Sequence, residues 1–272
     1  MASNYLPRLF ALSLLLAAVP TASAREQAGD GRLSARPSAQ VSLETAADRG
    51  HVRLPGQPRD TQIYVPSSYE PGKPAPALLL LHGAGGSARQ DIRTFIDAAE
   101  AYGLILVAPQ ASAQTWDIIA QRKRNPDGSW LPGDFGADAR RIDTVLTSVF
   151  SRYDIDPART GIAGFSDGAS YALALGTINR ELFPSIIAFS PGFAPSERRI
   201  GRQRVFVSHG TRDTVLPFAA AEQITVPSLR AMRLDVTFRT FDGGHGVPPD
   251  IVRDALTWFL GPSPAGGARK AE

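Results

Sequence analysis

The residues that could do chemistry cluster first at Gly164-Phe165-Ser166-Asp167-Gly168, a G-x-S-x-G pentapeptide. In a chain with 25 glycines such a match can arise by chance, so its context must be weighed. An apolar stretch, Gly161-Ile162-Ala163, precedes it, and a helix-forming stretch, Ala169 to Leu173, follows it. A strand that turns this sharply into a helix crowds its neighbours, and glycines at 164 and 168 relieve the crowding. The turn thrusts the serine hydroxyl outward at a helix N-terminus, whose positive end favours developing negative charge. The competing reading is a serine that merely caps a helix.

A serine hydroxyl is a weak nucleophile near neutral pH and needs a base. The chain has four histidines: His51, His82, His209 and His245. His245 stands in a glycine-rich loop, Phe241 to Gly246, after the last expected strand. His82 and His209 each follow a strand and precede glycine, where a ring more readily ties loop backbone together, and His51 comes too early in the chain. An imidazole base needs a carboxylate to fix its tautomer. Asp213, in His209-Gly-Thr-Arg-Asp213, follows a strand, while Asp242 is a competitor that could instead form the turn before His245. Acyl transfer also needs oxyanion donors. The Asp167 N–H is one, and Ala84 in His82-Gly83-Ala84-Gly85-Gly86 is the choice for the second, with Gly83 behind it. Each donor is worth about a hundredfold in rate. The same glycine-rich segment lacks the lysine and Ser/Thr of a phosphate cradle. A long connection from Pro109 to Asp134 carries Trp116, expected as an apolar wall of the substrate pocket, the alternative being a tryptophan packed beneath a surface loop.

These groups need elements to hold them. Continuous apolar runs at 77–81, 104–108, 160–165, 186–189 and 205–208 read as strands buried on both faces. An alternating strand at 61–65 precedes them and another at 235–241 follows. Helical spacing marks 88–102, 137–153, 167–177, 219–232 (with Pro227 as a break or kink) and 249–260. The alternation implies an α/β fold, a mostly parallel sheet with helices on both faces. Ligands of such sheets sit outside the carboxyl ends of the strands, where His82 to Gly86, Ser166, Asp213 and His245 all fall.

The 272 residues are 43% hydrophobic and 20% charged, ordinary for a globular chain. Cysteine is absent, which excludes disulfides, zinc–thiolate sites and a cysteine nucleophile. A net charge of +3 gives no signal for nucleic acid. Arg8, the apolar run Leu9 to Val19 and Ala22-Ser23-Ala24 read as a secretory signal over 1–24, too short to span a bilayer, and imply export. Residues 25–48 read as a flexible leader, 49–260 as one domain and 261–272 as a flexible tail. Nothing signals an oligomeric state.

Taken together, Leu-Leu-His82-Gly-Ala-Gly-Gly, Gly164-Phe-Ser-Asp-Gly-Ala-Ser, His209-Gly-Thr-Arg-Asp213 and Gly243-Gly-His245 resemble the α/β-hydrolase superfamily over about residues 60 to 260. The nearest resemblance is to its phospholipase/carboxylesterase branch, beside exported polyester-depolymerase and feruloyl-esterase-like enzymes. The order Ser166, Asp213, His245 is that of the superfamily. The resemblance implies hydrolysis of small-molecule or polymeric esters through an acyl-serine, with no metal and no organic cofactor. Related carboxylesterases often carry glutamine where Asp167 stands, and a carboxylate there weighs against anionic substrates. A serine peptidase on the same fold is a second reading, without sequence for the propeller domain common among those enzymes. A hydrolase-like binding protein is a third, against which the complete set of three residues speaks.

Overall fold

The computed structural model describes residues 28–37, 48–57, 60–124, 130–131, 133–193 and 202–261. Its main sheet has eight strands, β1 (Gly50–Val52), β2 (Gln62–Val65), β3 (Ala75–Leu81), β4 (Ile105–Ala108), β7 (Ile155–Phe165), β8 (Ser185–Phe189), β9 (Arg204–Gly210) and β10 (Asp235–Phe241). The order across the sheet is β1-β2-β4-β3-β7-β8-β9-β10. Within this sheet, among the described residues, only the β1–β2 and β2–β4 pairings are antiparallel, and the strands from β4 to β10 across it run parallel. A hairpin of β5 (Lys123–Arg124) and β6 (Trp130–Leu131) stands apart.

Alternation along the strands divides the core in two, because successive side chains leave opposite faces. Leu79, Leu81, Ile162 and Val207 meet α3 (Ala137–Phe150) and α4 (Asp167–Ile178) on one face. Leu78, Leu80, Ala163 and Phe206 meet α1 (Ala88–Tyr102) and α7 (Pro249–Leu260) on the other. Helix α1 has the bounds its spacing predicts. Ile92, Phe95 and Ala99 form its buried stripe, and Ser87 Oγ accepts the Gln90 N–H at its start. By contrast α4 buries nearly every residue from Gly168 to Thr177, so its sequence carries little amphipathic contrast.

One expectation gains detail and two change. The stretch 219–232 is helical over 218–231 with the irregularity expected near Pro227: α5 (Phe218–Ala220) and α6 (Val226–Ala231) are joined by a π-helical turn, Ala221–Thr225. Pro227 lacks an N–H and its ring crowds the carbonyl four residues back, and the wider turn sits just ahead of it. The long connection after β4 holds a short helix, α2 (Asp117–Ala120), clamped by exchange: Asp117 accepts the Gly136 and Asp138 N–H, while Asp138 accepts the Asp117 and Ser112 N–H. Residues 28–37, read as leader, lie against α3 and α4. Leu33 and Ala35 are buried there, the Leu33 N–H donates to Asn179 Oδ1, and Ser34 donates twice to Asp143. The signal segment, the rest of the leader except Asp48, and the tail beyond Gly261 lie outside the described residues. Among the described residues no helix is long and apolar enough to cross a membrane.

Candidate active site

Ser166 stands between β7 and α4 with φ of +56°, a conformation that residues with a side chain rarely adopt. The backbone explains the flanking glycines. A Cβ on Gly164 would lie 2.2 Å from the Gly168 carbonyl oxygen, and a Cβ on Gly168 would lie 2.0 Å from that of Leu81. The turn is pinned by the Ser166 N–H donating to the Phe189 carbonyl at 2.9 Å, which ties it to β8.

Three side chains from separate loops converge here. Ser166 Oγ is 2.9 Å from His245 Nε2, and His245 Nδ1 is 2.7 Å from Asp213 Oδ2. Asp213 Oδ1 accepts the Val215 and Leu216 N–H at 2.9 and 2.8 Å. Burial pushes the Asp213 carboxyl up, but the N–H groups of Leu216 and Val215 and the His245 ring outweigh it and hold its pKa below the ordinary value. As an ionised carboxylate it only accepts, so Nδ1 of His245 carries the ring proton and Nε2 accepts from the Ser166 hydroxyl. The two loops are stitched together: the Thr211 N–H donates to the Phe241 carbonyl and the Arg212 N–H to that of Gly243. The His245 ring packs on Phe165 at a centroid distance of 4.7 Å. Asp242, the competing carboxylate, lies exposed and pairs with Arg212 at 2.6 Å.

His82 and His209 hold backbone. The Ala111 N–H donates to His82 Nε2 at 3.1 Å, so Nδ1 bears the proton and donates to the Gly83 carbonyl at 2.8 Å. Burial lowers the His82 pKa, which keeps the ring neutral. His209 Nε2 donates to the Leu216 carbonyl at 2.7 Å and lies 3.3 Å from Asp213 Oδ2, bracing the aspartate loop. His51 is on the edge strand β1, packed edge-on against Tyr64.

The segment His82 to Gly86 lies over the serine turn, with the position of a Gly83 Cβ 3.3 Å from Ser166 Cβ. Its Gly85 and Gly86 N–H already donate to the Gln114 and Gly83 carbonyls. Ala84 is exposed in this turn, and Asp167 is the first residue of α4. The Asp167 carboxylate accepts from Thr115 Oγ1 at 2.6 Å.

Trp116 is not in the cleft, and its expected place on the pocket wall is corrected. It is fully buried, its indole N–H donates to the His82 carbonyl at 2.8 Å, and its ring lies between those of His82 and Tyr171 at 5.0 and 5.1 Å. A buried indole must find an acceptor, and this one draws the ring beneath the loop and away from solvent.

A cavity of about 280 Å³ lies beside the imidazole, between the first turns of α1, the ends of β3 and β7, and the loop that carries His245. Asp91 lines it, with a buried Oδ2 that has no hydrogen-bond partner among the described residues. Burial alone pushes the Asp91 pKa up to about 7. The unfolded chain ionises this group near ~3.9, so between the two values the folded protein keeps a proton that the unfolded chain has lost. Stability therefore falls as pH rises through that window, by roughly 4 kcal/mol when complete. Asp91→Asn cannot ionise. Its unfolding midpoint should pull ahead of the parent's between about pH 4 and pH 7 and stay level above that. A gap that is the same across the whole range would show that the acid is not buried unpartnered.

With this geometry in view, comparison with known proteins is decisive at the family level. Residues 53–238 match the model of the Esterase family. The chain belongs to the esterase family. Among its curated relatives is a bifunctional acetylxylan esterase/xylanase of Neocallimastix patriciarum, 27% identical over 181 residues, which are 63% of this chain and 24% of that one. Another is the poly(3-hydroxybutyrate) depolymerase of Ralstonia pickettii, 26% identical over 117 residues, 40% of this chain and 24% of that one. The chain spans less than half the length of the curated relatives it matches, between 24% and 44%. Among solved structures, esterase PE8 superimposes with a TM-score of 0.55 at 24% identity, covering 72% of this chain and 95% of its own. The likeness is one of fold, and the fold is that of the α/β-hydrolases.

Several residues that shape the site have no signature in the sequence. Gln110 donates to His82 Nε2 and to the Gly86 carbonyl and accepts the Ala88 N–H, joining the loop to α1. Thr115 engages Asp167 across 52 positions of chain. Asp91 sits in a first helical turn, where an acidic residue is ordinary and reads as favourable to the helix dipole.

Proposed function

We propose that the protein is a serine carboxylic-ester hydrolase that works through an acyl-serine intermediate. The observation that carries this reading is the unbroken hydrogen-bonded sequence from Ser166 Oγ through His245 to Asp213. His245 Nε2 takes the hydroxyl proton as Ser166 Oγ attacks the ester carbonyl carbon. The carbonyl oxygen becomes an oxyanion, held by the Ala84 and Asp167 N–H. Collapse breaks the bond to the alcohol oxygen, which receives the proton from Nε2 and leaves. Water then attacks the acyl-serine with His245 again as base, releasing the carboxylic acid and restoring Ser166. Asp213 remains ionised throughout and stabilises the imidazolium. The Thr115–Asp167 bond ties the residue after the nucleophile to the loop after β4, which favours a fixed position for its N–H. Esters, small or polymeric, are the substrate class, and the N-terminal signal motif supports export.

A fluorophosphonate probe tests the reading. The expected result is stoichiometric phosphonylation confined to Ser166, found by mass spectrometry, with parallel loss of p-nitrophenyl acetate hydrolysis. Labelling elsewhere, or none in an active preparation, would exclude Ser166 as nucleophile. Labelling without turnover of any ester would favour a binding protein.

A further inference from the structure

The cavity beside His245 has a composition that does not follow from packing alone. Leu80, Phe95, Phe165, Phe189 and Val247 give it apolar walls. A buried polar atom normally has a partner, since leaving one unpaired is destabilising by about 1–3 kcal/mol. Among the described residues Asp91 Oδ2 has none, although that oxygen is buried and the residue lines this space. The three other polar side chains on the wall do not satisfy it: Thr94 Oγ1 donates to the Gln90 carbonyl, Gln90 itself is exposed, and both ring nitrogens of His245 are engaged by Asp213 and Ser166. An apolar pocket with one well-placed polar group is the usual form of a small-molecule site.

Its position says which part of a substrate it would meet. In the serine mechanism Nε2 of the base gives its proton to the departing alcohol oxygen, so the leaving group stands on the side of the imidazole. His245 is itself a wall of the cavity. We propose that this cavity is the subsite for the leaving alcohol, and that it selects alcohols whose apolar body ends in a second hydroxyl bonded to the Asp91 carboxyl. The proposal rests on the serine-ester reading above and names the substrate class for that site. A hydroxyl both donates and accepts, so it satisfies the carboxyl whether that group is ionised or protonated. An ammonium only donates and would serve only the ionised form. The phenylalanine faces suit an aromatic or aliphatic body between the two oxygens.

The test compares tyrosol acetate with phenethyl acetate, which differ by one phenolic hydroxyl at the far end of the alcohol. Both form the same acetyl-enzyme, so any preference appears in kcat/KM, which reports acylation. The wild-type chain should favour tyrosol acetate by about tenfold or more, the size of a hydrogen bond to a charged group. Asp91→Leu should bring the ratio close to one. Asp91→Asn, which keeps an acceptor oxygen, should hold a ratio of roughly threefold. Each variant is scored by the ratio of its own two rates, so a change in its overall activity cancels. As a second measurement, tyrosol should inhibit the wild-type chain more strongly than phenethyl alcohol. A ratio near one in the wild type, or one that survives in Asp91→Leu, would overturn the proposal. So would acetylcholine as a better substrate than tyrosol acetate, because only a cation-seeking carboxylate gives that order. Absence of acetate release from every ester would instead overturn the serine-ester reading on which the subsite depends.

Discussion

Ser166→Ala should lower ester turnover by about a millionfold, the scale seen when one member of a nucleophile–base unit is removed. The expectation follows from what the hydroxyl does and does not touch. Its oxygen meets His245 Nε2 at 2.9 Å. The bonds that shape the turn are made by the Ser166 backbone, whose N–H donates to the Phe189 carbonyl and whose carbonyl accepts the Ser170 N–H. Alanine keeps all of these, so the loss in folding stability should be no more than about 1 kcal/mol, the ordinary worth of one hydrogen bond. What remains after the change is rate enhancement from the oxyanion donors and binding, about a thousandfold over water. Purified variant, steady-state hydrolysis of p-nitrophenyl acetate and a thermal melt check it. Retention of more than about one part in a hundred of the activity would mean that another group attacks the ester.

Asp213→Asn should lower kcat by about ten-thousandfold while leaving the fold and KM nearly as they were. Oδ1 of Asp213 accepts two backbone N–H groups, from Val215 and Leu216, and Oδ2 faces His245 Nδ1. An asparagine satisfies those two N–H groups only through its carbonyl oxygen, which turns its NH₂ toward the imidazole. The amide then donates to Nδ1, the ring proton moves to Nε2, and Nε2 can no longer accept from Ser166. The base is present and in place but holds its proton on the wrong nitrogen. The alternative carboxylate gives the opposite expectation. Asp242 is exposed and paired with Arg212, so Asp242→Asn should leave kcat within about twofold, as for other exposed ion pairs. Equal effects from the two substitutions would refute the assignment of roles.

The legible parts of this protein share a physical cause. Glycine at 164 and 168 is demanded by backbone atoms that stand 2.2 and 2.0 Å from where a Cβ would be, and a requirement that strict is met by one residue type and so shows in the chain. The parallel strands were legible because burial on both faces demands unbroken apolar runs, as in Ala77 to Leu81. The histidine and aspartate could be picked out because each follows a strand at the edge where loops of such a sheet must meet. Trp116 is not placed by its sequence, for the opposite reason. An indole in a long loop has the same local sequence whether it lines a cleft or fills a core, and the choice was made by a carbonyl 34 positions away.

Residues 28–37 give a similar lesson. Their composition is that of a solvated leader, and what anchors them is an Asn179 side chain 146 positions later and an Asp143 side chain 109 positions later. Asp91 is the sharpest case, since only the meeting of its own helix with three strands and a loop decides what surrounds its carboxyl. By itself the sequence determined the kind of sheet and marked Ser166, Asp213 and His245 in that order as candidates, because sterics and burial act on near neighbours along the chain. The tertiary structure alone decided that Trp116 is core and what surrounds the Asp91 carboxyl, because those depend on what distant segments bring to the same few ångströms.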